Sequence, residues 1–476
     1  MNFNSILFLV FLVIVFSIHW LFFSKNYKAQ NSFILLSSLI FYAGWDYRFL
    51  SLILFSTIID YYTGIKIEKS THNKQKKNLL LLSIISNLGL LFIFKYFNFF
   101  LESFINVSSL LGFQANLRLL KIILPVGISF YTFQTLSYSI DVYRGRISAT
   151  KDWTLFASYV TFFPQLVAGP IERASRILPQ LSKKRTFDWE KSKEGVRKIL
   201  LGFFKKVVIA DSLSPMVDFT FNNYQELSSL ALLLGAFYFT IQIYCDFSGY
   251  SDIAIGISKL FGVNLIENFN YPYFSRNIGE FWKRWHISLT SWFRDYLYFP
   301  LGGSLGSLAA AIRNVAIVFI ISGLWHGAKW TYIFWGVIHV VFYIPYFLRR
   351  RTGNKINTLL SFLVLKNKAL GIFSTFSIVM LSWIFFRSNS IVDAWRYILR
   401  LFSFTSDNQL ILNPANNLNS GYYLLYTCFF LLIEYYISLN KKETILFERG
   451  LNILLLLIIL FFVQIQEAES FIYFQF

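Results

Sequence analysis

Long apolar runs separated by short basic interruptions recur from one end of the chain to the other. They can be drawn at roughly 3–23, 32–43, 49–65, 79–99, 121–140, 153–169, 199–212, 228–247, 309–325, 328–348, 371–386, 421–438 and 451–466. A helix of about 18 or more apolar residues spans the hydrocarbon core of a bilayer. The pattern predicts an all-α polytopic membrane protein with about 11–13 transmembrane helices. The run at 32–43 and the stretch Asp246 to Gly262 are too short or too polar for simple crossings. They predict re-entrant or buried interior helices, because such backbone survives at depth only where protein or water shields it.

Two regions interrupt the pattern. From Gly169 to Lys206, Pro170, Glu172, Arg173, Arg176 and Pro179 precede a charged stretch from Lys183 to Lys198, which places this segment at the cytoplasmic face. From Tyr271 to Gly303, Arg276, Lys283, Arg284, Arg294 and Asp295 alternate with Phe281, Trp282, Trp285 and Trp292. Charge mixed with aromatics suits an interfacial or cavity-lining helix. The sequence carries no internal repeat and no matched pair of Gly- or Pro-broken helices of the kind found in inverted-repeat transporters. One integral-membrane domain over 1–476 is the simplest organisation, with Ser406 to Ser420 as an exposed polar loop. The first run lacks a basic leader and an A-x-A cleavage site, so it reads as a retained helix rather than a signal peptide.

Composition narrows this picture. Of 476 residues, 55% are hydrophobic, 20% aromatic and only 14% charged, which leaves no soluble domain of ordinary size. The net charge of +19 would suit nucleic acid if it lay along one face. It lies instead in short loops: Lys66, Lys69, Lys74, Lys76 and Lys77; Lys183, Lys184 and Arg185; Arg349, Arg350 and Arg351. That distribution orients the loops to the cytoplasm, attracts anionic lipid headgroups and argues against nucleic acid as a partner. Cys245 and Cys428 are isolated, without ligand spacing, so neither a disulfide framework nor a metal site is expected, and Cys245 reads as a packing residue.

The chemistry concentrates in two Trp-His pairs, Trp285-His286 within Phe281-Trp-Lys-Arg-Trp-His286 and Trp325-His326 within Gly323-Leu-Trp-His-Gly327. Histidine exchanges a proton near neutrality, and an ionisable group at membrane depth is costly enough to imply function. Forty residues apart, the two cannot share a helical face, but two helices can bring them together. For acyl transfer to a hydroxyl, one imidazole would take the alcohol proton as its oxygen attacks a thioester or ester carbonyl. The other would orient the acceptor or stabilise the oxyanion. No G-x-S-x-G elbow supports a covalent serine intermediate. Gly323 and Gly327 set His326 apart by permitting close backbone approach, whereas His339, His19 and His72 read as structural.

Polar residues of Tyr244-Cys-Asp-Phe-Ser-Gly-Tyr-Ser-Asp252 offer a second constellation: Asp246, Ser248, Tyr250 and Asp252. They would line a substrate path or proton route, or form a hydrogen-bonded network locking helices together. Asp246 and Asp252, six residues apart, share a helical face only if the backbone breaks at Gly249. Asp295 beside Arg294 reads as an ion pair rather than a catalytic acid. From composition and spacing alone, a membrane acyltransferase and a transporter or lipid flippase stand level, and a non-catalytic scaffold is a third reading.

Several blocks together carry a resemblance: Pro125-Val-Gly-Ile-Ser-Phe-Tyr-Thr-Phe133, Phe163-Pro-Gln-Leu-Val-Ala-Gly-Pro-Ile-Glu-Arg173, Asp246-Phe-Ser-Gly-Tyr-Ser-Asp252, Asn268-Phe-Asn-Tyr-Pro-Tyr-Phe274, Phe281 to Gly303, Ser322-Gly-Leu-Trp-His-Gly-Ala328 and Phe471-Ile-Tyr-Phe-Gln-Phe476. The chain resembles the membrane-bound O-acyltransferases, in the branch of the alginate O-acetyltransferases and related bacterial polysaccharide acetylation proteins. Cys245 departs from that pattern, where an aromatic residue is expected.

The resemblance implies a ring of helices around a thinned centre, with a central tunnel meeting near His326. His326 takes the place of the family's signature histidine and His286 that of the second. Trp325, Trp285, Trp282, Asp246, Ser248, Tyr250, Asp252, Arg294 and Asp295 are the expected binding or tunnel-lining residues. It further implies an inner-membrane enzyme with no permanently bound cofactor. Acetyl-CoA or another acyl thioester would serve as donor, a polysaccharide as acceptor, and a separate extracytoplasmic acetyltransferase as partner. Related D-alanyl transferases of teichoic acid synthesis imply a carrier-protein thioester as the alternative donor.

Overall fold

The computed structural model describes residues 3, 5–113, 117–352, 367–404, 420–440, 449–465 and 471. The polar loop expected from Ser406, and residues 472–476 of the terminal block, lie outside them. Among the described residues every regular element is helical. Among the described residues, seven helices are long and apolar enough to cross a membrane: Tyr27–Lys69, Asn73–Leu110, Ser229–Leu260, Leu308–His326, Trp330–Arg351, Lys368–Arg387 and Tyr423–Asn440. Two shorter apolar helices, Ile6–Phe22 and Asn452–Val463, accompany them.

Seven is fewer than the number of apolar runs, for local reasons. The runs at 32–43 and 49–65 join into Tyr27–Lys69 through a single 3-10 turn, Tyr47–Phe49, where the Asp46 carboxylate accepts the Arg48 backbone N–H at 3.0 Å. The run at 121–140 forms only the helix Ile128–Tyr143, almost wholly buried although it carries Ser129, Thr132, Gln134, Thr135, Ser137, Ser139 and Asp141. Proline at 164 splits the next run into Trp153–Thr161 and Phe163–Leu166. The run at 199–212 becomes a π-helical segment, Phe204–Ala210, which carries two buried lysines. Asp246 to Gly262, expected as re-entrant or interior, lies mostly within one unbroken helix, Ser229–Leu260.

The chain gathers into two compact units, Met1–Ile199 with Ser251–Ile266, and Leu200–Tyr250 with Glu267–Phe476. The first is organised around a buried carboxylate. Asp60, in Leu50–Lys69, accepts hydrogen bonds from Ser83 and Asn87 of the helix Asn73–Leu91 and from Ser139 of Ile128–Tyr143. Burying a carboxylate is tolerable only with such partners, and the arrangement ties three helices at one level.

In the second unit, Leu308–His326 and Trp330–Thr352 form a close helical hairpin. A Cβ on Gly323 would lie 2.2 Å from the Tyr332 carbonyl oxygen, and one on Gly336 would lie 2.4 Å from that of Phe319. Two glycines therefore set the depth of this packing. Around it Trp285, Trp335, Trp383, Phe281 and Tyr332 form an aromatic core.

Candidate active site

His326 ends the helix Leu308–His326, and the chain turns at Gly327, where a Cβ would strike the Tyr332 ring. The imidazole is 4% exposed and lies among Trp325, Trp335 and Phe386, with ring centroids 5.2, 5.3 and 5.5 Å away. His286 comes from a different construction. It caps the short helix Ile287–Phe293 in the left-handed conformation, φ 43° and ψ 55°, which a non-glycine residue adopts at a cost of order 1–3 kcal/mol.

Asn268 holds that conformation. Its backbone carbonyl accepts the Ile287 N–H at 2.9 Å, and its side-chain Oδ1 accepts the Ser288 N–H at 3.2 Å and hydroxyl at 2.9 Å. The same Oδ1 lies 3.1 Å from His286 Nδ1. An oxygen already accepting from two donors fixes the tautomer: Nδ1 carries the proton and donates it, leaving Nε2 as a lone-pair acceptor. Nε2 is buried and makes no hydrogen bond among the described residues. Burial and the neighbouring His326 push the His286 ring well below the ordinary histidine range, which keeps it neutral.

The two rings stand 6.4 Å apart between centroids, and Trp325 lies 5.9 Å from His286. Phe247 closes the other side of His286 at 4.7 Å. Two imidazoles at this spacing, walled by aromatic rings, can accept and relay a proton in a water-poor setting.

The remaining expected site residues divide. Trp325 stands beside both histidines, while Trp285 packs against Trp383 at 5.1 Å in the adjoining aromatic core. Trp282 instead donates its indole N–H to His339 Nδ1 at 3.3 Å, and His339 Nε2 lies 3.2 Å from the Ser382 hydroxyl. Asp246 belongs to a buried ion cluster, with Lys206 Nζ 2.6 Å from both Asp246 and Asp211. Ser248 and Tyr250 are buried, Tyr250 against the Phe471 ring at 4.5 Å. No break occurs at Gly249, because the helix runs through it; a Cβ there would lie 2.7 Å from the Gly202 carbonyl, so this glycine serves close helix packing. Asp252 falls in the first unit, paired with Lys198 at 3.2 Å. Arg294 and Asp295 form a two-point ion pair at 2.7 and 3.2 Å, on the π-helical segment Arg294–Tyr298.

Sequence reasoning passed over Asn268, although it opens one of the quoted blocks, because nothing in its 18-residue separation from His286 shows the contact. It also passed over Lys205, Lys206 and Glu434. Lys205 lies 3.6 Å from Glu434, whose carboxylate accepts the Tyr244 hydroxyl at 2.8 Å. Charges inside apolar runs were the available signal.

Comparison with known proteins gives a coherent result. The family model described as "MBOAT, membrane-bound O-acyltransferase family" matches residues 27–381. The chain is 38% identical to the probable alginate O-acetylase AlgI of Pseudomonas aeruginosa, over 87% of this chain and 78% of that protein. It is 34% identical to the peptidoglycan O-acetyltransferase of Helicobacter pylori, over 79% and 74%. It is 32% identical to the teichoic acid D-alanyltransferase of Streptococcus thermophilus, over 62% and 77%.

Proposed function

This chain belongs to the membrane-bound O-acyltransferase family and is an O-acyltransferase, and from that premise we propose that it moves an acetyl group from a cytoplasmic thioester to hydroxyls of a cell-surface polysaccharide. The observation that carries the reading is the convergence of His286 and His326, with His286 fixed in one tautomer by Asn268. His326 acts as base: it takes the proton of the acceptor hydroxyl as that oxygen bonds to the thioester carbonyl carbon. The C–S bond then breaks, and the thiolate leaves with the proton returned from the imidazolium. His286, through Nε2, accepts a hydrogen bond from the acceptor and aims it.

Acetyl-CoA is the favoured donor. The names of relatives that act on alginate and peptidoglycan support a polysaccharide acceptor, and the seven apolar helices support a multi-pass protein, here assigned to the bacterial inner membrane. A separate extracytoplasmic acetyltransferase would be the intermediate acceptor, passing the acetyl group on to the polysaccharide. A carrier-protein thioester is the second reading, favoured by the likeness to the teichoic acid D-alanyltransferase.

The test incubates reconstituted protein with labelled acetyl-CoA and, separately, with a labelled acyl-carrier thioester. Loss of label from acetyl-CoA alone, abolished by His326→Ala, is the expected result. Loss from the carrier thioester alone would replace the donor, and unchanged turnover in His326→Ala would remove that histidine from the role of base.

A further inference from the structure

Within the first unit a cavity of 240 Å³ opens among Trp20, Lys183, Lys184, Arg185, Lys191 and Lys259, with Asp188 as the one carboxylate in its wall. Arg185 is the unusual member. It is only 5% exposed, yet none of its three guanidinium nitrogens makes a hydrogen bond among the described residues. The position is built rather than incidental: buried Gln30 accepts the Arg185 N–H at 2.9 Å and donates to its carbonyl at 2.8 Å. Gly262, at φ +72°, lies under the side-chain stem, where a Cβ would come within 3.3 Å of the Arg185 carbons.

Among the described residues no carboxylate pairs with this charge. Asp188 already accepts the N–H groups of Glu190 and Lys191, both at 3.1 Å, and pairs with the Lys191 ammonium at 3.5 Å. Lys259 is paired with Glu194 at 3.1 Å. Exposed Lys183 and Lys184 have no ion-pair partner among the described residues. His19, interacting electrostatically with Arg185, offers no compensation, since both its ring nitrogens also lack hydrogen-bond partners among the described residues. Burial pushes the Arg185 guanidinium down to about 10, still cationic at neutrality. A buried, unpaired guanidinium costs several kcal/mol, and its planar fork matches the paired oxygens of an anion such as phosphate, which the surrounding lysines can also engage.

We propose that this cavity is a binding site for a phosphate-bearing anion, held by Arg185 at its floor and by Lys183 and Lys184 at its mouth. Two sources share that chemistry: the headgroup of an anionic phospholipid, which the neighbouring Trp20 indole would suit, and a soluble phosphate compound. The site lies outside the histidine pair and does not depend on the acyl donor.

Thermal unfolding of the purified full-length protein tests it in two arms. In neutral detergent, inorganic phosphate is titrated against chloride at equal ionic strength. In nanodiscs, phosphatidylcholine is compared with phosphatidylcholine containing phosphatidylglycerol. A saturable rise of a few degrees with phosphate assigns a soluble anion, and a rise confined to phosphatidylglycerol assigns the headgroup. Arg185→Gln should abolish the rise and leave the ligand-free midpoint unchanged or higher, because it removes an uncompensated charge. Should that variant fail to fold, the exposed double change Lys183→Gln with Lys184→Gln should weaken the apparent affinity about tenfold, two lost charge-assisted contacts being sufficient for that. No saturable rise in either arm, an equal rise in Arg185→Gln, or unchanged affinity in the double variant overturns the proposal.

Discussion

His286 and His339 are both buried imidazoles among tryptophans in the same unit, and they differ in how their ring nitrogens are engaged and in their backbone conformation. His339 has both nitrogens engaged, one by the Trp282 indole and one by the Ser382 hydroxyl, so it joins three helices and has no lone pair to spare. His286 has Nδ1 committed to Asn268 and Nε2 without a hydrogen-bond partner among the described residues, on a backbone held in the left-handed region. A histidine satisfied on both sides holds a fold together. One satisfied on a single side keeps a lone pair available, and His286 does so at a cost in backbone strain.

The contrast can be broken by substitution. His326→Ala should show the largest effect, an acyl-transfer rate lower by about 10²–10⁴-fold with an unchanged amount of folded protein in the membrane. Equal loss of folded protein and rate would instead make it a packing residue. Asn268→Ala should follow, with turnover lower by about 10²-fold because the His286 ring loses both tautomer and direction. A normal rate there would show that the ring needs no anchor.

His339→Ala should reverse the pattern. Lost interhelical hydrogen bonds cost about 0.6–1.7 kcal/mol each, so the thermal midpoint falls while the rate per folded molecule stays close to that of the parent. A specific loss of rate would bring His339 into the chemistry and dissolve the comparison.

The smallest effect tests the same logic on a carboxyl. Glu172, buried and accepting the Ile266 N–H, is pushed by that burial from an ordinary 4.5 to about 7. The folded state thus holds this proton more tightly than the unfolded chain. Its stabilising contribution is complete below pH 4.5, declines as pH rises through about 7, and changes little beyond. Glu172→Gln should remove that slope from the midpoint-versus-pH curve, and a slope surviving the change would assign it elsewhere.

Much of this protein was legible in its residues. The all-α membrane class followed from apolar runs, because a bilayer demands helices of a set length. The two Trp-His pairs stood out because ionisable groups are rare in such runs, and the enzyme reading over the transporter rested on motif blocks that the family match bears out. The Arg294 and Asp295 pairing was readable because the two are adjacent. Less accessible were the grouping of Asp246 with Lys206, the separation of Asp252 into the other unit, and the joining of 32–43 to 49–65. Each depends on which helix faces which, and a run of apolar residues reads alike whether it meets lipid or protein.

The sequence by itself therefore determined the class of the protein, its family, and the two imidazoles proposed to carry its chemistry. Tertiary structure alone decided that Asn268 fixes the tautomer of His286, that Trp282 serves His339, and that Arg185 is buried with no hydrogen-bond partner for its guanidinium among the described residues. Periodicity and composition are properties of neighbours along a chain. A hydrogen bond between residues 18 or 57 positions apart, or the lack of one at a buried cation, exists only after the helices have packed.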